Sequence, residues 1–341
     1  MGLLDRFPIT AVGVFAAILN IPMSAAAQSE VASCVFEATR TAPESKTVGE
    51  IRAECRSWET ADADRTAMED QAVPVYERSV IEERFEAEAE SERRPFVITP
   101  HNPNFILATY FDDPNQAPFE QVTGISQPVE DTEMKFQISI KAPIWQDMFG
   151  TDIDTYFAYT AQSYWQMFND DLSAPFRETN YEPELFIRSF ADYDFLGMTI
   201  AGWSLGFNHQ SNGRSDPLSR SWNRILGRAG LQITDDLALL ARAWYRLPED
   251  DKDDDNPHMH RYYGYGDLRA IWTPNRNTFT ALVRPGTEKT SFELTWSYPI
   301  SRVFRIYAQY YKGYGESLID YDYKNERFGI GIALNDYLMR Q

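Results

Sequence analysis

The sequence predicts an all-β fold, a twelve-stranded antiparallel transmembrane β-barrel with a small helical N-terminal periplasmic segment. Three features support this prediction: an N-terminal export signal, period-two alternation of apolar and polar residues after residue 100, and connections that alternate between long and short. The 341 residues include 32 basic and 51 acidic side chains, which gives a net charge of −19. This acidic excess argues against a nucleic-acid-binding protein, because phosphate recognition needs positive charge.

The chain begins with a predicted signal peptide, residues 1–27, which is removed on export. An apolar stretch runs from Ile9 to Ile21, and the small residues at 24–27 suit cleavage by a signal peptidase. The mature protein is therefore expected to begin near Gln28.

Residues 28–99 form the predicted N-terminal periplasmic segment, which is helical or linker-like. Cys34 and Cys55 flank a pattern of two helical turns, and in an oxidising compartment we expect one disulfide that staples a small helical hairpin. The acidic stretch Tyr76–Arg94 fits either a periplasmic helix or a solvated linker. We favour a polar segment that leads into the barrel.

The barrel domain is predicted over residues 100–341, where the alternating segments have the length of tilted membrane-spanning strands. In residues 134–144, for example, the even positions are apolar and the odd positions from Lys135 to Lys141 are polar. Twelve such segments lie near 104–111, 134–145, 154–168, 180–193, 198–211, 223–234, 237–248, 260–274, 277–286, 290–300, 302–315 and 325–336. An even number of strands lets both ends of the chain lie on one side of the membrane. The mostly long loops are then extracellular and the mostly short turns periplasmic.

A soluble β-sandwich is the competing fold, since its strands also alternate. Its strands are typically shorter, and it buries both apolar faces. Repeated charged residues on the second face of an exported chain favour a barrel in lipid, where closure is required because open edges leave backbone groups unpaired. Large side chains on the lumen face, among them Arg242, Trp244 and Arg305, argue against a wide diffusion pore.

Three polar residues share the lipid-facing parity of two neighbouring predicted strands. His209 and Ser211 follow Leu205 and Phe207 on one face of the fifth strand, and Asn223 begins the sixth strand on the same face. Polar groups there are costly unless they have a function. The set suits acyl transfer, with Ser211 as the nucleophile, His209 as the general base and acid, and Asn223 as the residue that orients the imidazole.

The same residues lie within long sequence motifs. Residues 207–224 read FNHQSNGRSDPLSRSWNR, residues 173–183 read SAPFRETNYEP and residues 313–321 read GYGESLIDY. Together they resemble the motifs of outer-membrane phospholipase A, over about residues 100–337. The resemblance implies a carboxylic ester hydrolase that cleaves phospholipid acyl esters (phospholipase A1, A2 and lysophospholipase) with a Ser-His-Asn triad on the lipid-facing wall.

The resemblance further implies a Ca²⁺-dependent enzyme of the bacterial outer membrane, active as a homodimer, with its active site at the outer-leaflet side. By matching position, the Ca²⁺ ligands are the backbone carbonyl of Arg214 and the hydroxyl of Ser219, with Ser173 supplied across the dimer interface. Asp216 matches a further acidic ligand. One departure concerns the dimer, because a Gln of the family corresponds to Ala161 here.

A passive outer-membrane pore or receptor barrel is the alternative function. It gives no reason for His209, Ser211 and Asn223 to share the outer face, so we predict the hydrolase. An inactive hydrolase scaffold has little support, since all three catalytic residue types are present. The acidic loop 249–256 lacks the spacing of an EF-hand, and we interpret it as a solvated loop.

Overall fold

The fold is known from a computed structural model that describes residues 79–92, 97–195, 197–250, 252 and 254–338. They belong to a compact unit, Glu77–Gln341. The predicted signal peptide and the Cys34–Cys55 pair lie outside the described residues, and both stay predictions. Among the described residues, no helix has the length and hydropathy to cross a membrane.

Twelve long strands make up the fold. They are β1 (Phe105–Asp112), β2 (Thr132–Trp145), β3 (Ile153–Trp165), β4 (Phe176–Phe195), β5 (Met198–Ser211), β6 (Ser221–Thr234), β7 (Leu237–Arg246), β8 (Gly266–Trp272), β9 (Thr278–Pro285), β10 (Thr290–Pro299), β11 (Arg305–Tyr314) and β12 (Lys324–Ala333). Each pairs antiparallel with the next along the chain, and a two-residue strand, Thr99–Pro100, adds to the edge of β2.

The sheet closes on itself through its first and last long strands. Strand β12 pairs with β1 from Glu326 opposite Asp112 to Ala333 opposite Phe105. Closure leaves no free edge among the long strands, as a sheet in lipid requires. The predicted twelve-stranded barrel is therefore confirmed.

The connections make the two ends of the barrel different. Long loops, at residues 113–131, 166–175, 212–220, 247–265 and 315–323, lie at one end, which we call the long-loop end. Short connections such as 235–236 and 273–277 lie at the other, which we call the short-turn end. The long loops contain two helices, α2 (Ala117–Thr123) and α3 (His260–Tyr263), and Met148–Gly150 forms a 3-10 turn at the short-turn end.

The predicted eighth strand is too long at its start. We expected it at 260–274, but β8 begins at Gly266 because α3 forms a helical turn before it. Tyr263 of α3 is buried against Trp222 at the long-loop end, and this packing holds the turn out of the sheet.

The two faces of the barrel differ in polarity as the alternation predicts. Outward-facing side chains are apolar and exposed, among them Ile138, Leu205, Phe207, Ile225, Leu268, Leu294 and Phe328. The lumen is polar and densely paired. Glu133 binds Arg177 (2.9 Å) and Arg327 (2.8 Å), and Arg327 in turn binds Glu316 (2.8 Å).

The lumen also retains a polar cavity of about 170 Å³. Arg224, Arg242, Asp267 and Glu293 are among the side chains that line it. The lumen-facing side chains of β11 are all buried, namely Arg305 and those at 307, 309 and 311. The lumen is therefore largely filled.

Helix α1 (Val80–Glu92) enters the lumen at the short-turn end. Its apolar residues Val80 and Ile81 join a buried cluster with Ala201, Ala238 and Ile271 of the barrel wall, which Leu338 of the C-terminal tail also joins. Hydrophobic burial therefore draws the start of the helix inward.

Of the two structures that fit the acidic stretch, the structure has a helix over Val80–Glu92, and part of its acidic face is buried. Its Glu88 carboxylate contacts Lys141 (2.6 Å), Arg188 (2.8 Å) and Arg84 (2.5 Å), and Glu92 accepts a hydrogen bond from Tyr156 (2.7 Å). The acidic residues on this face are buried because the barrel wall supplies the cations that pair with them. The sequence pattern along α1 gives no sign of those distant partners.

Candidate active site

The three predicted catalytic residues lie on two paired strands near the long-loop end. His209 of β5 is directly opposite Asn223 of β6, and Ser211 is opposite Ser221. All of these side chains are half-buried and point outward, in the same parity as the exposed Phe207 and Ile225 side chains. The alternation of the strands thus places the polar set on the lipid-facing wall.

The structure brings His209 and Asn223 into contact. Nδ1 of His209 is 2.9 Å from Oδ1 of Asn223. An amide oxygen only accepts hydrogen bonds, so Nδ1 carries the proton and donates it. Nε2 is then left with its lone pair. Ser211 lies two residues along the same strand on the same face, and the hydrogen bonds of the described residues include none between its hydroxyl and His209.

Asn223 has a second partner that the sequence analysis missed. Nδ2 of Asn223 donates to a carboxylate oxygen of Glu249, 3.3 Å away. Glu249 also binds Arg246, at 3.2 Å, and its side chain is 18% exposed. The interpretation of the acidic loop as merely solvated is therefore wrong for Glu249. No local motif marks this residue, since it meets Asn223 only through the pairing of β7 with β6, which continues past the end of β7.

The predicted calcium ligands lie on two loops at the long-loop end. Arg214, Asp216 and Ser219 are in the loop 212–220, with Asp216 exposed, and Ser173 is exposed on the loop 166–175. The Arg214 guanidinium donates to the backbone carbonyls at 176 (3.0 Å) and 177 (2.7 Å), which ties the loop 212–220 to the start of β4.

The acidic loop also supplies a residue to this region. The Ser219 hydroxyl donates to Asp255 at 2.6 Å, and the other oxygen of Asp255 accepts the backbone N–H of Ser221 at 2.9 Å. Within the described ranges, no three His, Cys, Asp or Glu side chains cluster as a metal site. The predicted Ca²⁺ ligands are instead mostly neutral oxygen groups, a carbonyl and hydroxyls, together with a carboxylate. Such hard oxygen donors fit Ca²⁺.

Buried contacts hold the shape of the loop 212–220. The Asn212 side-chain oxygen accepts the backbone N–H of Arg214 (3.3 Å) and of Arg220 (3.0 Å), and its nitrogen donates to the carbonyl of Leu218 (2.8 Å). Below it, Trp222 is buried with its indole N–H donating to Gln210. The loop and the catalytic strands are therefore parts of one packed region.

Comparison with known proteins identifies the family. The family model described as phospholipase A1 matches residues 81–334. A phospholipase A1 of Klebsiella pneumoniae is 40% identical over 71% of this chain and 84% of its own length. The chain belongs to the phospholipase A1 family. A phospholipase A1 of Escherichia coli K12 is 38% identical over 71% of this chain and 83% of its own length.

Solved structures of the family share the fold. Outer membrane phospholipase A from Escherichia coli has a TM-score of 0.67 and 37% identity, over 71% of this chain and 93% of that one. A Salmonella typhi outer membrane phospholipase, solved as a dimer with bound calcium, gives the same TM-score and identity and covers 94% of that chain. The predicted resemblance to this family is confirmed. The predictions that the chain is a phospholipid-hydrolysing enzyme and that it lies in the outer membrane are also confirmed.

The position at which the sequence analysis predicts a departure from the family lies on the third barrel strand. Ala161 of β3 pairs with Tyr181 and Ile138, whose side chains are exposed on the outer face. Gln162, its neighbour, faces the lumen and donates to the Tyr164 hydroxyl. The structure therefore has a methyl group on the outer wall at this position.

Proposed function

We propose that this chain hydrolyses acyl esters of phospholipids in the outer membrane, with Ser211 as the nucleophile, His209 as the general base and acid, and Asn223 as the residue that orients His209. The hydrogen bond of 2.9 Å between Nδ1 of His209 and Oδ1 of Asn223 carries this proposal. With its proton on Nδ1, the imidazole keeps Nε2 unprotonated and able to accept the Ser211 proton.

The reaction follows from that arrangement. Nε2 of His209 takes the Ser211 proton as Oγ attacks the ester carbonyl, and the imidazolium then protonates the departing glycerol oxygen. Water attacks the acyl-enzyme in the second half, again with His209 as the base, and releases the fatty acid. Asn223 holds the imidazole throughout in the tautomer that both proton transfers require.

The position of the site supports a membrane lipid as the substrate. His209 and Ser211 share their face with Phe207 and Leu205, which are 43% and 47% exposed and suit contact with acyl chains. The site lies at the long-loop end of the barrel. In outer-membrane barrels the long loops are extracellular, which supports access to the outer leaflet.

We further propose that activity requires Ca²⁺ and a homodimer. The backbone carbonyl of Arg214, the hydroxyl of Ser219 and the carboxylates of Asp216 and Asp255 would hold the ion, with Ser173 supplied by the second subunit. When bound, the ion supplies positive charge that stabilises an oxyanion near Ser211. The Salmonella typhi relative, solved as a calcium-bound dimer, supports this extension.

The test is fatty-acid release from phospholipids in mixed micelles, with Ca²⁺ or with a chelator. We expect release by the wild type with Ca²⁺, none from Ser211→Ala, and loss of release on chelation. Ser301→Ala, at the short-turn end, serves as a matched control that keeps activity. Release by folded Ser211→Ala would refute the nucleophile. Release that survives chelation would refute the calcium requirement. Release by the protein in its monomeric form would refute the requirement for a homodimer.

A further inference from the structure

We infer that Glu249 is a positioning residue for the catalytic histidine and acts through Asn223. This inference rests on the proposed function, because it deepens the role of the same site. It extends the three-residue set to a chain that runs from Arg246 through Glu249 and Asn223 to His209.

The contacts of this chain are continuous. Oε2 of Glu249 accepts a hydrogen bond from Arg246 at 3.2 Å, and Oε1 accepts one from Nδ2 of Asn223 at 3.3 Å. Oδ1 of Asn223 is in turn 2.9 Å from Nδ1 of His209. Each carboxylate oxygen of Glu249 thus has its own donor, and the side chain is only 18% exposed.

Glu249 decides which way the Asn223 amide faces. An ionised carboxylate accepts hydrogen bonds and donates none, so only the NH₂ group of Asn223 can face it. The amide oxygen must then face His209 and requires a proton on Nδ1. Without Glu249, the amide has no such constraint, and the reversed amide would select the tautomer that leaves Nε2 protonated and unable to accept the Ser211 proton.

Glu249 also supplies the negative charge that a neutral asparagine lacks. In a Ser-His-Asp triad, the carboxylate stabilises the imidazolium that forms during acyl transfer. Here the carboxylate stands one residue further back, linked to the ring through the Asn223 amide. The site is half-buried beside lipid, where charges are screened less than in water. The electric field of the Glu249 carboxylate therefore reaches His209.

The backbone around Glu249 holds it in place. The N–H of Leu247 donates to the carbonyl of Asn223 at 2.8 Å, which continues the pairing of β6 and β7 past the end of β7. Arg246 is anchored by a second carboxylate, Asp254, at 2.7 Å. The chain therefore returns to Asn223 immediately before Glu249, and Arg246 fixes the carboxylate from the other side.

The first experiment compares Glu249→Gln with the wild type in the Ca²⁺-containing micelle assay. Gln offers Asn223 either its oxygen or its NH₂ group and carries no charge. We expect kcat to fall roughly tenfold to a hundredfold, as on losing a hydrogen bond to a charged group, with KM unchanged. Glu288→Gln is the matched control. Glu288 also pairs with an arginine, Arg261, but it lies in the connection between β9 and β10.

The second experiment separates positioning from a merely structural role. In an Asn223→Ala background, Glu249→Gln should lower kcat by less than about threefold, because the residue through which it acts is gone. Asn223→Asp alone should impair kcat, since two carboxylates then face each other. Adding Glu249→Gln to Asn223→Asp should restore kcat at least tenfold, because the glutamine NH₂ group can donate to the new aspartate.

The outcomes distinguish this inference from the proposed function. If the wild type releases fatty acid, Ser211→Ala does not, and Glu249→Gln retains wild-type kcat, the positioning role is refuted while the hydrolase stands. Additive losses in the Asn223→Ala background, or no rescue of Asn223→Asp, would likewise refute it. Each variant is first checked for folding by the heat-dependent gel mobility of the barrel.

Discussion

Replacement of Glu88 by alanine should release helix α1 from the lumen. The Glu88 carboxylate contacts three cationic side chains, Lys141 at 2.6 Å, Arg188 at 2.8 Å and Arg84 at 2.5 Å. All four groups are buried or nearly so. Removing one partner of a buried ion pair costs about 3–5 kcal/mol, because the remaining charge stays buried without compensation. Here three cations lose their shared anion.

The assay is limited proteolysis with trypsin in detergent, followed by mass spectrometry of the fragment cut after Arg84. Arg84 is 7% exposed and donates to the carbonyls of Asp336 and Pro100, so cleavage requires the helix to open. A loss of 3–5 kcal/mol raises the open fraction by roughly a hundredfold to several thousandfold. Glu90→Ala, which removes an exposed carboxylate from the same helix, is the control.

Cleavage of Glu88→Ala at less than five times the wild-type rate would refute this reasoning.

The pH dependence of α1 protection offers an independent check. Burial raises the pKa of Glu88, but the charges of Lys141, Arg84 and Arg188 outweigh it and hold the pKa well below 4.5. The ionised group thus contributes its full stability above about pH 4.5, and wild-type α1 should stay protected until the pH falls well below that value.

Three further predictions concern the lipid face, the core and the ion site. Leu294→Arg, on the outer wall, should lower the free energy of unfolding in lipid vesicles by about 2–4 kcal/mol, as urea titration would show; an unchanged midpoint would contradict the lipid-facing position. Trp222→Ala should cost about 3–5 kcal/mol in the same titration, because Trp222 is 1% exposed and packs against Trp244 and Tyr263. Asp255→Asn should raise the Ca²⁺ concentration for half-maximal activity at least tenfold, as a calcium titration of fatty-acid release would measure, and an unchanged titration would exclude Asp255 as a ligand.

The barrel and the shared face of the three proposed catalytic residues could be predicted from the chain alone because their signals are local. A strand alternates its side chains with a period of two, so parity alone assigns His209, Ser211 and Asn223 to one face. The predicted fifth strand coincides with β5, and the other strands lie within a few residues of their predicted bounds apart from the start of β8. For strands joined at the short-turn end, pairing then follows from the short turns between them.

Contacts between distant segments needed the tertiary structure. Sequence patterns did not place Glu88 of an acidic helix beside Lys141 and Arg188, since burial of that carboxylate depends on cations from the barrel wall. The same holds for Asp255, which looks like a member of a solvated acidic loop until that loop folds back to the start of β6, and for Glu249, whose contact with Asn223 depends on the pairing of β7 with β6. Alternation determines which face a residue occupies, whereas the partner that it meets there depends on how the closed barrel brings loops, helix and lumen together.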